Sequence, residues 1–95
     1  MLDKVKQLME MKKQAEELRR QLDASRVEVT DVPGIKIVIS GSQNFQSIDI
    51  SDELLDNKAR VKGELLRSMN AAIKRSQDLA AQKMKAMTGL NIPGL

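Results

Sequence analysis

A row of basic side chains on one helical face is the part of this sequence best suited to chemistry. At about 100° per residue, four cations fall within roughly 40° of each other. They are Arg60, Arg67, Lys74 and Lys85. Arg75 lies beside this basic row, and Asp78 interrupts it. Such a row fits a polyanion such as a phosphate backbone, although a solvated helix face has the same pattern.

The distribution of charge along the chain favours contact with a polyanion. Residues 1–24 hold six basic and five acidic side chains, a net charge of +1. Residues 25–57 hold two basic and six acidic side chains, a net −4, and residues 58–95 hold eight and two, a net +6. The formal charge of +3 therefore conceals a basic C-terminal segment beside an acidic middle. Asymmetry of this kind is typical of proteins that bind nucleic acid or an anionic surface.

The residues needed for most catalytic and metal chemistry are missing. The chain has no His and no Cys, so its serines lack the usual base and a metal lacks its commonest ligands. The carboxylates of the middle segment match no calcium loop and are explained by helix capping and solvated strand ends. We therefore predict that the protein is not an enzyme and binds no cofactor, metal or small-molecule substrate. Phe45 is the only aromatic residue, which argues against recognition by base stacking.

The sequence also carries no signal for a membrane or for secretion. No apolar run approaches the ~20 residues that span a bilayer. The opening Met1-Leu2-Asp3-Lys4 lacks the hydrophobic segment of a signal peptide. We expect a cytoplasmic protein without a membrane partner.

Two helices must position the cations, and the first is predicted over residues 1–24. Its apolar residues follow a 3, 4, 3, 4 spacing at Leu8, Met11, Ala15, Leu18 and Leu22. This stripe is typical of coiled-coil and bundle helices. A helix of this length is about 36 Å long, whereas a compact chain of this size has a radius of gyration of about 12 Å. We expect the helix to protrude or to lie along a partner.

The period changes to two over residues 26–50, which predicts a three-stranded antiparallel meander. Pro33-Gly34 suits a type II turn between the first two strands, and residues 41–44 suit a second turn. Ile35, Ile37 and Ile39 alternate with Lys36, Val38 and Ser40, which predicts one apolar and one polar face. Both helices are expected to cover the apolar face. The open sheet edges invite a second copy of the chain.

The second long helix is predicted over residues 57–88. A short helical turn at residues 51–55 precedes it, and Asp56 or Asn57 is expected to cap it. Its predicted apolar face, with Ser76 inside it, contains Leu66, Met69, Ile73, Ala80, Met84 and Met87. Glycines and a proline end the helix and predict a flexible tail over residues 89–95. The fold class is α+β, in the order α-β-β-β-α, and residues 1–95 form one domain.

Several stretches occur in the same order as in a known family. They are residues 33–41, Ile48-Asp49-Ile50, Leu54-Leu55, Met69-Asn70-Ala71-Ala72 and residues 87–95. On these stretches the chain resembles the YbaB/EbfC family of bacterial nucleoid-associated proteins. The resemblance implies an α-β-β-β-α protomer, an intertwined homodimer with protruding helical arms, and DNA binding with weak or variable sequence preference.

The resemblance and the charge geometry together predict a non-enzymatic homodimer that binds duplex DNA in the nucleoid with low sequence specificity. The distal helix ends, residues 1–13 and 74–88, should project together and contact DNA. The acidic sheet, with Glu28, Asp31, Asp49 and Asp52, should face away. The resemblance supplies no binding motif that transfers residue by residue, so the candidates come from charge geometry. They are Lys4, Lys6, Lys12, Lys13, Arg60, Arg67, Lys74, Arg75, Lys83 and Lys85.

An alternative function also fits the pattern of elements. Helical arms with apolar stripes could hold a client protein, as in a prefoldin-like chaperone or protein-interaction module. A chaperone arm does not need four cations in one row, which is why DNA binding is the preferred interpretation.

Overall fold

The fold is known from a computed structural model that describes residues 2–88. Its elements are α1 (Leu2–Ala24), β1 (Arg26–Val29), β2 (Ile35–Ser40), β3 (Phe45–Ile50), α2 (Asp52–Leu55) and α3 (Lys58–Thr88). This order confirms the predicted α-β-β-β-α fold, with two long helices around three strands. The tail predicted over residues 89–95 lies outside the described residues.

The three strands form an antiparallel meander in the order β1-β2-β3. Val27 pairs with Ile39 across β1 and β2, and Ile37 pairs with Ile48 across β2 and β3. The ladder between β2 and β3 shifts its register between Val38 and Ile39. Directly paired residues point to the same face of a sheet, so the isoleucines of β2 and Ile48 share one apolar face.

The two turns differ in the residue that has a positive φ. In the first turn the Ile35 N–H donates to the Val32 carbonyl at 3.1 Å, and Gly34 has φ +89°. This is the positive φ that the Pro33-Gly34 pair predicts. In the second turn the positive φ, +68°, belongs to Gln43 rather than to Gly41.

The core lies between the apolar face of the sheet and α3. Val29, Ile35, Ile37 and Ile39 are buried against Ala72 of α3 and its half-buried neighbours. The predicted apolar face of α3 is wrong for Leu66 and Met84, which are 62% and 37% exposed. The residues of α3 buried most deeply are the small ones, Ser68, Ala72 and Ser76. A helix that lies close to a strand has room for small side chains on its contact line, so size rather than hydrophobicity decides which residues are buried there.

The first helix does not cover the sheet, which corrects the prediction that both helices do. No residue of α1 is buried over Leu2–Ala24. Its C-terminal turns lie beside the end of β2, where the Gly41 N–H donates to the Leu22 carbonyl at 2.9 Å. Glu17, Leu18 and Leu22 are half-buried along α3, whose Met87 lies beside Lys13 and Arg20. The two helices therefore run antiparallel, and the first turns of α1 extend past the end of α3.

The polar face of the sheet is less polar than predicted. Lys36 is exposed, but Val38 and Ser40 are only 2% and 1% exposed. Val38 lies on the central strand, between its cross-strand partners Glu28 and Ser47. Ser40 is buried where β2 meets both long helices.

The molecule is elongated. Its radius of gyration is 18.1 Å and its extents are 64 × 24 × 16 Å, against the radius of about 12 Å of a compact chain of this length. This confirms the prediction that the helices protrude. We call α1 together with residues 74–88 of α3 the arm. Within residues 2–88 no helix is long and apolar enough to cross a membrane.

Candidate nucleic-acid interface

The basic row begins in the first turn of α3. The Asn57 side-chain oxygen accepts from the Arg60 N–H at 3.2 Å, so Asn57 caps the helix. Arg60 and Arg67 are exposed, and both lie near the Glu64 carboxylate, at 3.9 and 3.7 Å. The two guanidinium groups are largely exposed, although the Glu64 side chain is only 21% exposed. Ion pairs this long contribute little to stability, so both cations remain accessible to a phosphate.

The middle of the row contains two adjacent cations in different surroundings. Lys74 is exposed. Arg75 donates to both carboxylate oxygens of Asp31, at 2.7 and 2.8 Å. Both hydrogen bonds come from one guanidinium nitrogen, Nη2, and they connect α3 to the loop after β1. Asp31 therefore lies beside the basic row rather than away from it.

The distal part of α3 holds the last two predicted cations. Lys85 is exposed, but Lys83 is half-buried. Lys83 follows Ser76 by seven residues, which places it on the side of the helix that faces the sheet and α1. The structure thus brings Lys74 and Lys85 onto one open face and separates Lys83 from them.

The predicted cations of α1 are all exposed, namely Lys4, Lys6, Lys12 and Lys13. Lys6 and Lys13 are seven residues apart, and Arg20 continues the same spacing. Arg20 was not among the predicted site residues. Its side chain is 75% exposed, it pairs with Glu17, and it lines a cleft with Lys13 and Met87. The heptad spacing from Lys6 is the sequence signal that identifies it.

The arm and the sheet differ in charge. The α3 part of the arm, residues 74–88, holds four basic and one acidic side chain, a net +3. Residues 25–57, which include the whole sheet, have a net charge of −4. Within residues 2–88 no group of three or more His, Cys, Asp or Glu side chains could hold a metal ion. The arrangement suits electrostatic contact with an extended polyanion.

Large apolar side chains remain exposed on the protomer. On α1, Val5, Leu8, Met9 and Met11 are 54–65% exposed. On β3, Phe45 is 38% and Ile48 42% exposed. α3 packs on β2 and β1, so the apolar face of β3 stays open. Exposed apolar surface of this extent is typical of an interface between proteins.

Comparison with known proteins places this architecture in a family. The model of the YbaB/EbfC DNA-binding family matches residues 1–91. The chain belongs to the YbaB/EbfC DNA-binding family. This confirms the resemblance found in the sequence.

Relatives of similar length support the assignment to the YbaB/EbfC family. A nucleoid-associated protein of Pelotomaculum thermopropionicum is 35% identical, with 96% of this chain and 90% of the relative covered. A nucleoid-associated protein of Desulforamulus reducens has the same identity and coverage. Among solved structures, the crystal structure of uncharacterized protein HP0035 from Helicobacter pylori matches with a TM-score of 0.77. It is 18% identical and the match covers 85% of this chain and 88% of that one, which shows a shared fold.

Proposed function

We propose that this member of the YbaB/EbfC family is a homodimer that binds duplex DNA with low sequence specificity through its basic arms. The observation that carries the proposal is the exposed basic row on the side of α3 opposite its buried serines. The contacts would be made by Lys74, Lys85, the cations of α1 and, after release from Glu64, Arg60 and Arg67. Arg75 and Lys83 have weaker support, because one is paired with Asp31 and the other is half-buried.

The low specificity follows from the kind of side chain available. Ammonium and guanidinium groups on a helix surface bind phosphates, which carry no direct sequence information. The one aromatic residue, Phe45, lies on β3 and not on the arm. We expect the protein to act in the cytoplasm on the nucleoid, as the names of its relatives suggest. We also expect it to catalyse no reaction.

The dimer is supported by apolar surface that a single protomer leaves exposed. The stripe of α1 and the open face of β3 both need a cover, and a second copy of the same chain provides complementary apolar surface. We take residues 1–95 to act as one domain within that dimer. Sedimentation at micromolar concentration should give the mass of two chains, whereas a fully helical monomer at that concentration would contradict the proposal.

A direct test of DNA binding is a gel-shift titration on two unrelated duplexes of equal length. Both should bind with similar affinity, and the logarithm of the binding constant should fall linearly with the logarithm of salt concentration, by about 0.9 per phosphate contact. Binding to one duplex only, or binding that salt does not weaken, would contradict the proposal.

The exposed apolar stripe of α1 also favours a second candidate function. Leu8, Met9 and Met11 could hold a non-native protein, as in the prefoldin-like alternative. The two functions differ in the molecule that the chain binds, which is duplex DNA in one case and a non-native protein in the other. Suppression of client aggregation that survives high salt, in a protein that does not retard duplex DNA, would favour the chaperone.

A further inference from the structure

Two consecutive residues at the end of β2, Ser40 and Gly41, hold both helices of the arm. The Ser40 carbonyl accepts from the Ser76 hydroxyl of α3 at 2.7 Å. The Gly41 N–H donates to the Leu22 carbonyl of α1 at 2.9 Å and lies 3.3 Å from the Ser25 carbonyl. Ser40, Gly41 and Ser76 are all buried. The two helices are therefore fixed to adjacent residues, the last residue of β2 and the first residue after it.

The contact at Gly41 is a close approach between two backbones. A Cβ atom there would lie 3.1 Å from the Leu22 carbonyl oxygen and 3.3 Å from its Cα. The φ of Gly41 lies outside the left-handed region, so space rather than backbone conformation requires the glycine. A side chain at this position can be accommodated only if α1 moves away from β2.

Further contacts brace the same point. The Ser40 N–H donates to the Asn44 carbonyl at 2.8 Å, and the Asn44 N–H donates to the Ser40 hydroxyl at 3.1 Å. The β2–β3 turn thus fixes Ser40 from the sheet side. On α3, Arg75 lies one residue before Ser76 and connects the helix to Asp31, in the loop after β1, through an ion pair of 2.7 Å.

We propose that Ser40-Gly41 is a pivot that sets the direction of the arm and so positions its cations along the DNA backbone. The pivot rests on the proposed DNA-binding function. The distance along α1 from Leu22 to the N-terminus of the helix is about 30 Å at 1.5 Å per residue. A shift of a few tenths of an ångström across one helical turn therefore grows to about 2 Å at the N-terminus of α1. Hydrogen-bond lengths vary by less than this, so a cation displaced by about 2 Å would lose its contact with a phosphate.

The test uses the same substitution at two glycines. Gly41→Ala should displace α1, whereas Gly63→Ala is a matched control because no atom lies within 4 Å of a Cβ built there. The chain contains no Cys, so Ser47→Cys on β3 can be paired with Gln7→Cys on α1 in one sample and with Gln82→Cys on α3 in another, and each pair can carry spin labels. All three positions are exposed. Labelled chains diluted with unlabelled protein report the distance between sheet and arm by pulsed electron resonance.

We expect the distance between the labels at positions 47 and 7 to shift or broaden by about 1–2 Å in Gly41→Ala and to stay unchanged in Gly63→Ala. Duplex affinity should fall about eightfold at about 0.1 M salt for each phosphate contact that is lost. Ser76→Ala, which keeps the helix surface small, should broaden the distance between the labels at positions 47 and 82. Its control is Ser68→Ala, at a buried hydroxyl without a hydrogen-bond partner among the described residues. If Gly41→Ala prevents folding, this serine pair decides the question.

The outcomes separate the pivot from the function on which it rests. A changed distance with weaker binding in Gly41→Ala or Ser76→Ala, and neither change in the controls, supports the pivot. An unchanged distance, or a changed distance with full affinity, overturns it. Wild-type protein that fails to bind either duplex overturns the DNA-binding function, and the distances then report only on the arm.

Discussion

Two serines on the buried face of α3 differ in the hydrogen bonding of their hydroxyl groups. Ser76 donates to the Ser40 carbonyl, while the Ser68 hydroxyl is buried and without a partner among the described residues. Removing the first should destabilise the protein by about 0.5–1.5 kcal/mol, the net contribution of one hydrogen bond. The Ser40 carbonyl keeps the Gln43 N–H as a donor at 3.1 Å. Removing the second should be neutral or stabilising by about 0.5 kcal/mol, since Ala favours helix.

Urea unfolding of Ser76→Ala and Ser68→Ala, at one fixed protein concentration, measures this difference. Equal losses of stability in the two variants would show that the Ser76 hydrogen bond has no special role.

Adjacent cations on α3 should also differ in their effect on DNA binding. Lys74 is exposed, whereas Arg75 donates to both carboxylate oxygens of Asp31 through one nitrogen. Lys74→Gln should therefore weaken duplex binding by about eightfold at about 0.1 M salt, the effect of one phosphate contact. Arg75→Gln should weaken it less, because Asp31 already compensates the guanidinium charge.

Fluorescence anisotropy of a labelled duplex measures both constants. An Arg75→Gln loss equal to or larger than that of Lys74→Gln would mean that Arg75 exchanges Asp31 for phosphate. Asp31→Asn, which frees Arg75, is a further control and should strengthen binding.

At the scale of elements, the proposed dimer predicts that α1 is stabilised by contacts with the second copy of the chain. No residue of α1 is buried, and its apolar stripe is exposed over the first turns. Amide hydrogens exchange fast where few buried contacts hold the backbone. In a dimer the exchange of residues 2–12 should slow as protein concentration rises, while β2 exchanges slowly throughout.

Hydrogen exchange followed by mass spectrometry over a dilution series tests this prediction. Exchange of residues 2–12 that is equally slow at every concentration would contradict it, unless sedimentation shows that the dimer persists throughout the series.

The order and limits of the elements could be predicted from the sequence, because periodicity and turn residues are local signals. Pro33-Gly34 marks the first turn, and Asn57 caps α3 as one of two predicted candidates. The buried face of α3 could be predicted only in part: Met69 and Ile73 pack against the core as predicted, but the deeply buried Ser68 and Ala72 were not expected there. Which residues are buried most deeply depends on the distance between elements that are far apart in sequence.

The candidate site likewise has features that could be predicted from the sequence and features that could not. The basic row follows from helical spacing alone, so its common face could be predicted. The pairing of Arg75 with Asp31 joins residues 44 positions apart, and no local pattern shows it. For the same reason Gly41 suggested only a turn in the sequence, whereas the structure shows a close approach to Leu22.

At the scale of the whole molecule, charge and shape support each other. The protomer is 64 Å long, and its acidic segment contains the sheet while the α3 part of the arm is basic. In the proposed complex, like charge would keep phosphate away from the sheet, and the arm would provide the attractive surface. In a dimer the number of basic rows doubles, which lets one molecule contact DNA at two places.

The central claim is that the arm, not the sheet, binds DNA, and two double charge reversals test it most directly. Lys74→Glu/Lys85→Glu alters the arm and Arg26→Glu/Lys36→Glu alters exposed residues of the sheet. Each changes the formal charge from +3 to −1, since each reversal subtracts two. Duplex titration near 0.1 M salt should show the arm variant weakened by about 60-fold, the effect of two phosphate contacts, with a shallower salt dependence. The sheet variant should lose far less affinity; equal losses in the two variants, or no loss in the arm variant, would contradict the claim.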